Sequence, residues 1–288
     1  MVISGACPGM VWAALGAGTD NSSLTIVGGL LGALVYGVFA DAIQRKVLNR
    51  GPLGPCQKVY ADEALGKSSP AFLTLILGII CLCGCVALES LIPWKTEVPS
   101  RFSDVINEPV CSFGTSDFGF WNCPAWPPSI GGILLGALQI PAVMLIGNVL
   151  GSATAFQIGS CAWLLPLPSD LRSKLSTSYM NAFATPNPLA WWQLPYVGLA
   201  TLAASICAKS AADVGGAAGV DSTSAFVGGF VLIFGSRLGG GCTSGHGLSG
   251  CALLMIQSWI AVPAMFAGGV ALAVGWQSIS NGEFFQSD

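Results

Sequence analysis

The chain has 288 residues, of which 53% are hydrophobic and only 9% charged, and its mean hydropathy is +0.69. Soluble domains carry about 25% charged residues; this chain lacks the polar material to cover a water-facing surface, which leaves an integral membrane protein. A formal net charge of −3, with no Lys/Arg-rich block, also excludes nucleic acid as a partner.

Taken in chain order, the opening MVISGACPGM holds no Lys or Arg and so has no secretory n-region. Residues 4–18 (SGACPGMVWAALGAG) are apolar but shorter than the roughly 20 residues a hydrocarbon core requires. The first stretch of spanning length is 23–43, in which Gly28, Gly32 and Gly37 recur at spacings that let helices approach closely in lipid. The 44–69 connection carries Arg45, Lys46, Arg50, Lys58 and Lys67 against Asp62 and Glu63, and is expected on the cytoplasmic side.

A second span is expected at 70–92, where Cys81, Cys83 and Cys85 read as small buried hydrophobes. The following 93–128 connection sets Lys95 and Arg101 against Glu97, Asp104, Glu108 and Asp117, and is expected outside the cell. It also holds Cys111 and Cys123, which an oxidising space would allow to bridge. Further spans are expected at 129–151, 191–211, 223–239 and 259–279, with Trp191, Trp192, Trp259 and Trp276 as an interfacial belt. This topology places Arg172 and Lys174 inside, provided that 151–166 enters and leaves the membrane on one side.

Like 4–18, the segments 151–166 and 240–258 are apolar, short and rich in Gly, Ser, Thr or Pro. Broken backbone at membrane depth is tolerated where it is buried in protein or lines an aqueous cavity, so re-entrant or discontinuous helices are expected at all three. GACPG at 5–9 and GGCTSG at 240–245 both set a cysteine after small residues and before a polar turn. The expected architecture is therefore one all-α transmembrane domain over 1–288. It has a first repeat at about 1–92, an external loop at about 93–128 and a second repeat at about 129–288. The two pseudo-symmetric halves meet at a central constriction, where transporters of this type hold their solute.

These residues suit a small anion. Bare charge in a low-dielectric wall is costly, so donors must replace its water, and conduction needs sites that are favourable yet weak. Half-helix N-termini offer unpaired N–H groups, glycine permits close backbone approach, and a thiol adds a weak neutral donor. A thiolate would repel the arriving ion, so Cys7 and Cys242 are expected to work protonated.

GACPGMVWAALGAG (5–18) and GSRLGGGCTSGHGLSG (235–250) resemble the two signature segments of the YeeE/YedE sulfur-transport family, and GNVLGSATAFQIGSC (147–161) is similar to its intermediate segment. The resemblance implies thiosulfate, or a related small sulfur anion, handed along by cysteines, with Cys7 and Cys242 at the constriction and Cys161 a weaker match to a third pathway cysteine. Family members usually carry a membrane helix before the first signature. This chain begins almost at SGACPG, so the pattern implies that this helix is missing here.

Around the cysteines, Gly5, Gly9, Gly241 and Gly245 are expected to line the path. His246 is either an anion holder or a packed residue bonded to a carbonyl, and Arg237 either an electrostatic lure or a snorkelling cation. Thr243 and Ser244 are expected to cap the half-helix and, as pathway residues, to donate to the solute as well; Ser152, Thr154 and Gln157 are expected to line the path from the middle segment, and Cys251 to pack. With one histidine, no C-x-x-C zinc pattern and no nucleotide-binding motif, no metal or cofactor is expected. A non-enzymatic transporter is favoured over a membrane sulfurtransferase or thiol-redox enzyme with Cys242 as nucleophile. The partners expected are the anion, the plasma-membrane bilayer, a cytoplasmic sulfur-accepting protein and further copies of the chain.

Overall fold

A computed structural model describes residues 1–43, 46, 59–61, 69–91, 128–146, 151–168, 170–171, 176–184, 191–210 and 219–279. Outside these fall most of the 44–69 and 93–128 connections, with Cys111 and Cys123, together with Arg172, Lys174 and residues 147–150 of the intermediate segment. The structure is 81% helical. No strand forms among the described residues, where an isolated bridge pairs Tyr60 with Met255.

The elements are α1 (Met10–Ala17), α2 (Ser22–Ile43), α3 (Pro70–Leu91), α4 (Pro128–Ala137), α5 (Ala153–Cys161), α6 (Ser178–Ala184), α7 (Gln193–Ser210) and α8 (Ser222–Leu238). Two more follow: α9 over 243–252, π-helical across Gly245–Gly250, and α10 (Ile256–Ile279). Among the described residues, three stretches, Ser22–Ile43, Ala71–Leu91 and Ile256–Gly275, are long and apolar enough to cross a membrane. The other expected spans also form helix. Ser129–Leu145 and Ser222–Leu238 are apolar but shorter, and Pro141 leads into π-helical Ala142–Ile146 within the first of them. The three broken segments all carry short helices, α1, α5 and α9.

Glycine sets the central helix pair. A Cβ on Gly28 would strike the carbonyl of Phe226, one on Gly32 the carbonyl of Phe230, and one on Gly229 the carbonyl of Thr25. Residue numbers rise together along both helices, so α2 and α8 run parallel with their backbones touching. Their starts are tied by the Asn21 side-chain amide, which donates to the Val220 carbonyl (2.9 Å), and by the Ser222 hydroxyl, which donates to Asn21 Oδ1 (3.2 Å). Asp221 caps α8 by accepting the N–H groups of Thr223 and Ser224, each at 3.0 Å.

The core lies between this pair and the short helices. Val11, Ile26, Ala33, Phe156 and Ile233 form one buried cluster, flanked by Trp12 and Leu30; the Trp12 and Phe156 rings sit 5.0 Å apart. Gly29 leaves room for Phe156 and Ile233. The core therefore packs directly behind the first turns of α1 and α5 and fixes where those helices begin.

Much of the outer surface is hydrocarbon, with Leu75, Ile79, Leu82 and Leu91 on α3 all exposed. A continuous apolar exterior of this kind belongs in lipid. Cys81, Cys83 and Cys85 are exposed on α3. This corrects the expectation that they are buried: α3 is peripheral, and a thiol is apolar enough to face acyl chains. Cys251 is half-buried.

Candidate functional site at three helix starts

Three short helices begin at one place. The first backbone bond of α1 runs from the Val11 N–H to the Cys7 carbonyl (3.1 Å). This sets Pro8 in the opening turn, where its missing N–H costs nothing. In α9 the His246 N–H donates to the Cys242 carbonyl (2.8 Å), and the Gly245 N–H donates to the Cys242 sulfur (3.3 Å). That is an N-cap geometry with sulfur in place of oxygen. Ser152 precedes α5, and its carbonyl accepts from Ala155 (3.2 Å). Its hydroxyl makes no cap bond and no other hydrogen bond among the described residues.

Gly9 is where the three starts meet. A Cβ there would lie 3.3 Å from Ser152 Oγ, 3.7 Å from Ser244 Oγ and 3.9 Å from Cys7 Sγ. Ser244 Oγ in turn sits 3.1 Å from Cys242 Sγ, and the backbone N–H groups of Ser152 and Ala153 interact with that same sulfur. Cys242 is 3% exposed and Ser152 2%; Cys7 is half-buried. The Tyr196 phenol on α7 interacts electrostatically with both Cys7 and Cys242. The result is a compact group of hydroxyl, thiol and peptide N–H groups. Each helix N-terminus adds the equivalent of about half a positive charge.

The sulphur transport family matches residues 1–271 of the chain. The chain belongs to this family, also called YeeE/YedE. The match makes it a sulfur-transport protein by family. No curated protein and no solved structure matches it.

The sulfur-transport signatures do not all reach the meeting point. Gly5 has φ +64° and leaves 3.3 Å to Val220 Cγ1, so it turns the chain against α8. Gly241 makes room for His246, since a Cβ there would lie 2.7 Å from Nε2. His246 Nδ1 pairs with the Ser258 hydroxyl of α10 (2.9 Å), so its partner is a hydroxyl and not the expected carbonyl. Its Nε2 is buried without a hydrogen bond among the described residues. Thr243 Oγ1 donates to Met1 Sδ (3.5 Å). Neither Thr243 nor Ser244 caps α9, because Cys242 holds that position and Ser244 turns to the thiol instead. Thr154 is half-buried in the first turn of α5.

Cys161 is not brought to this group. It closes the far end of α5, fully buried with Leu164, Met180 and Ala184, and accepts from Gln157 Nε2 (3.3 Å). It is the last of the nine residues of α5, whose N-cap is Ser152. Arg237 is half-buried in the last turn of α8, and its Nε has no hydrogen-bond partner among the described residues. Sequence reasoning missed Tyr196, which lies inside a stretch read only as a span. The WWQLPY composition marks an interface but carries no signal that one phenol is electrostatically coupled to two distant thiols.

Proposed function

We propose that this sulfur-transport protein passes thiosulfate, or a closely related sulfur oxyanion, between Cys7, Ser152 and Cys242. The observation that carries the reading is the convergence of these residues, each at the start of a short helix, around Gly9, with Cys242 linked to that point through Ser244. An anion arriving there exchanges water for thiol, hydroxyl and peptide N–H donors, none of which bears a full charge. Hydrogen bonds to charged groups contribute about 1.5–3 kcal/mol each, enough to hold the ion briefly and weak enough to let it go. On this reading both thiols work protonated, the two halves of the chain contribute one cysteine each, and α1, α5 and α9 act as half-helices dipping towards the constriction.

The sulfurtransferase reading needs a base beside Cys242. The His246 ring reaches Ser258 through Nδ1, while the Cys242 sulfur meets Ser244 and peptide N–H groups, which favours hand-over of an intact ion.

The test is uptake of sulfur-labelled thiosulfate by cells lacking their own route. The wild-type chain should restore uptake, and Cys7→Ala and Cys242→Ala should each abolish most of it. Full uptake by both alanine variants at normal membrane levels overturns the reading. A persulfide or thiosulfonate accumulating on Cys242 would instead establish the enzyme.

A further inference from the structure

The packing of α2 against α8 changes character along its length. Up to Gly32 the two backbones touch. Beyond it, side chains hold the helices apart and leave an outward-facing cleft of about 420 Å³. Val35, Phe39 and Ile43 line it from α2, Phe230 and Phe234 from α8, and Lys46 closes one end. The Phe230 and Phe234 rings lie 6.0 Å apart at an interplanar angle of 8°, and Tyr36 braces Phe234 edge-on at 5.9 Å. The cleft thus has a flat, fixed aromatic wall on one side.

We infer that this cleft binds an anionic phospholipid, with one acyl chain along the aromatic wall and the phosphate at the Lys46 ammonium. Three observations select this occupant. Among the described residues, no lining side chain apart from Lys46 carries a hydrogen-bonding group, so a peptide segment would find no partner there for its backbone, whereas an acyl chain needs none. The volume falls in the range of about 300–1,000 Å³ that small-molecule sites occupy. The one ionisable group among the described lining residues is a cation, placed where the sequence after α2 becomes basic, with Arg45 and Arg50 close by in the chain. Basic pockets between membrane helices at an interface suit anionic head groups. The site is separate from the Cys7–Cys242 group and does not depend on what that group transports.

The test is native mass spectrometry of the detergent-purified full chain, titrated with phosphatidylglycerol or with phosphatidylcholine of identical acyl chains. Wild-type protein should retain phosphatidylglycerol about fivefold better, the effect of one interfacial lysine on an anionic lipid. Lys46→Ala should erase that preference, and Lys209→Ala, which removes an exposed cation at the end of α7, should leave it intact. Ala42→Phe, which fills the cleft from α2, should lower retention of both lipids. Equal retention of the two lipids by wild-type protein, or an unchanged preference in Lys46→Ala, overturns the inference. So does a wild-type dimer, free of lipid, that Ala42→Phe dissociates.

Discussion

A side chain grown from Gly9 would begin 3.3 Å from the hydroxyl oxygen of Ser152, so these two residues share one small space between the starts of α1 and α5. Gly9 has φ −76° and ψ −41°, an ordinary right-handed conformation that alanine adopts without strain. Gly9→Ala should therefore fold and insert normally while a methyl group occupies the space in which the donors meet. Thiosulfate uptake should fall by roughly tenfold, the equivalent of about one hydrogen bond to an anion, at unchanged membrane abundance. Undiminished uptake would remove Gly9 from the path.

Ser152 allows a cleaner separation of function from stability. Its hydroxyl is buried with no protein partner among the described residues, and such a group costs about 1–3 kcal/mol. Ser152→Ala should raise the thermal midpoint of the purified protein, or leave it unchanged, and still reduce uptake by roughly tenfold. A drop in both would show that the hydroxyl serves the fold.

The parallel pair α2–α8 depends on glycine at the contact itself. Gly28→Ala places a methyl group against the Phe226 carbonyl, and overpacking of this kind destabilises by about 1–3 kcal/mol. The matching control is Gly78→Ala on α3, where nothing lies within 4 Å and removing a helix-interior glycine should stabilise by about 0.5–1 kcal/mol. Thermal unfolding in detergent should order the variants as Gly78→Ala, wild type, Gly28→Ala.

Asp221 couples the start of α8 to pH. Hydrogen bonds from Ser224, through its side chain and its N–H, and from the Thr223 N–H hold the carboxyl below the usual carboxylate range. A lowered folded-state pKa contributes stability that is complete above the unfolded value of about 3.9 and is lost as pH falls through the lowered one. Wild type should therefore outlast Asp221→Ala in thermal melts at pH 7, and the gap should close as pH is brought below about 4. A pH-independent gap would mean that the charge plays no part.

How much of this was legible beforehand depended on the physical signal. Long apolar runs such as 70–92 announce themselves because lipid imposes length and hydropathy on a chain residue by residue. The short helices were legible as interruptions, since glycine and serine at membrane depth need an explanation. Their convergence was not, because the spacing of Cys7 from Cys242 in sequence says nothing about a common neighbour at Gly9. The capping of α9 was misread for a related reason: Thr243 and Ser244 are the residue types that usually cap, yet the turn after Gly240 brings Cys242 into the capping position. Cys161, a weaker match to a third pathway cysteine, lies at the opposite end of α5 from Ser152, which its place in the sequence could not show. Tyr196 interacts electrostatically with the thiols from a helix whose own pattern records only its hydrophobicity.

Cys7, Ser152 and Cys242 come from the beginning, middle and last part of the chain, and this bears on how the protein is made. On the proposed reading, a nascent polypeptide halted before residue 242 holds two of these three side chains and lacks the third. A partial product stalled on the ribosome would therefore present an incomplete set of donors to any anion that met it.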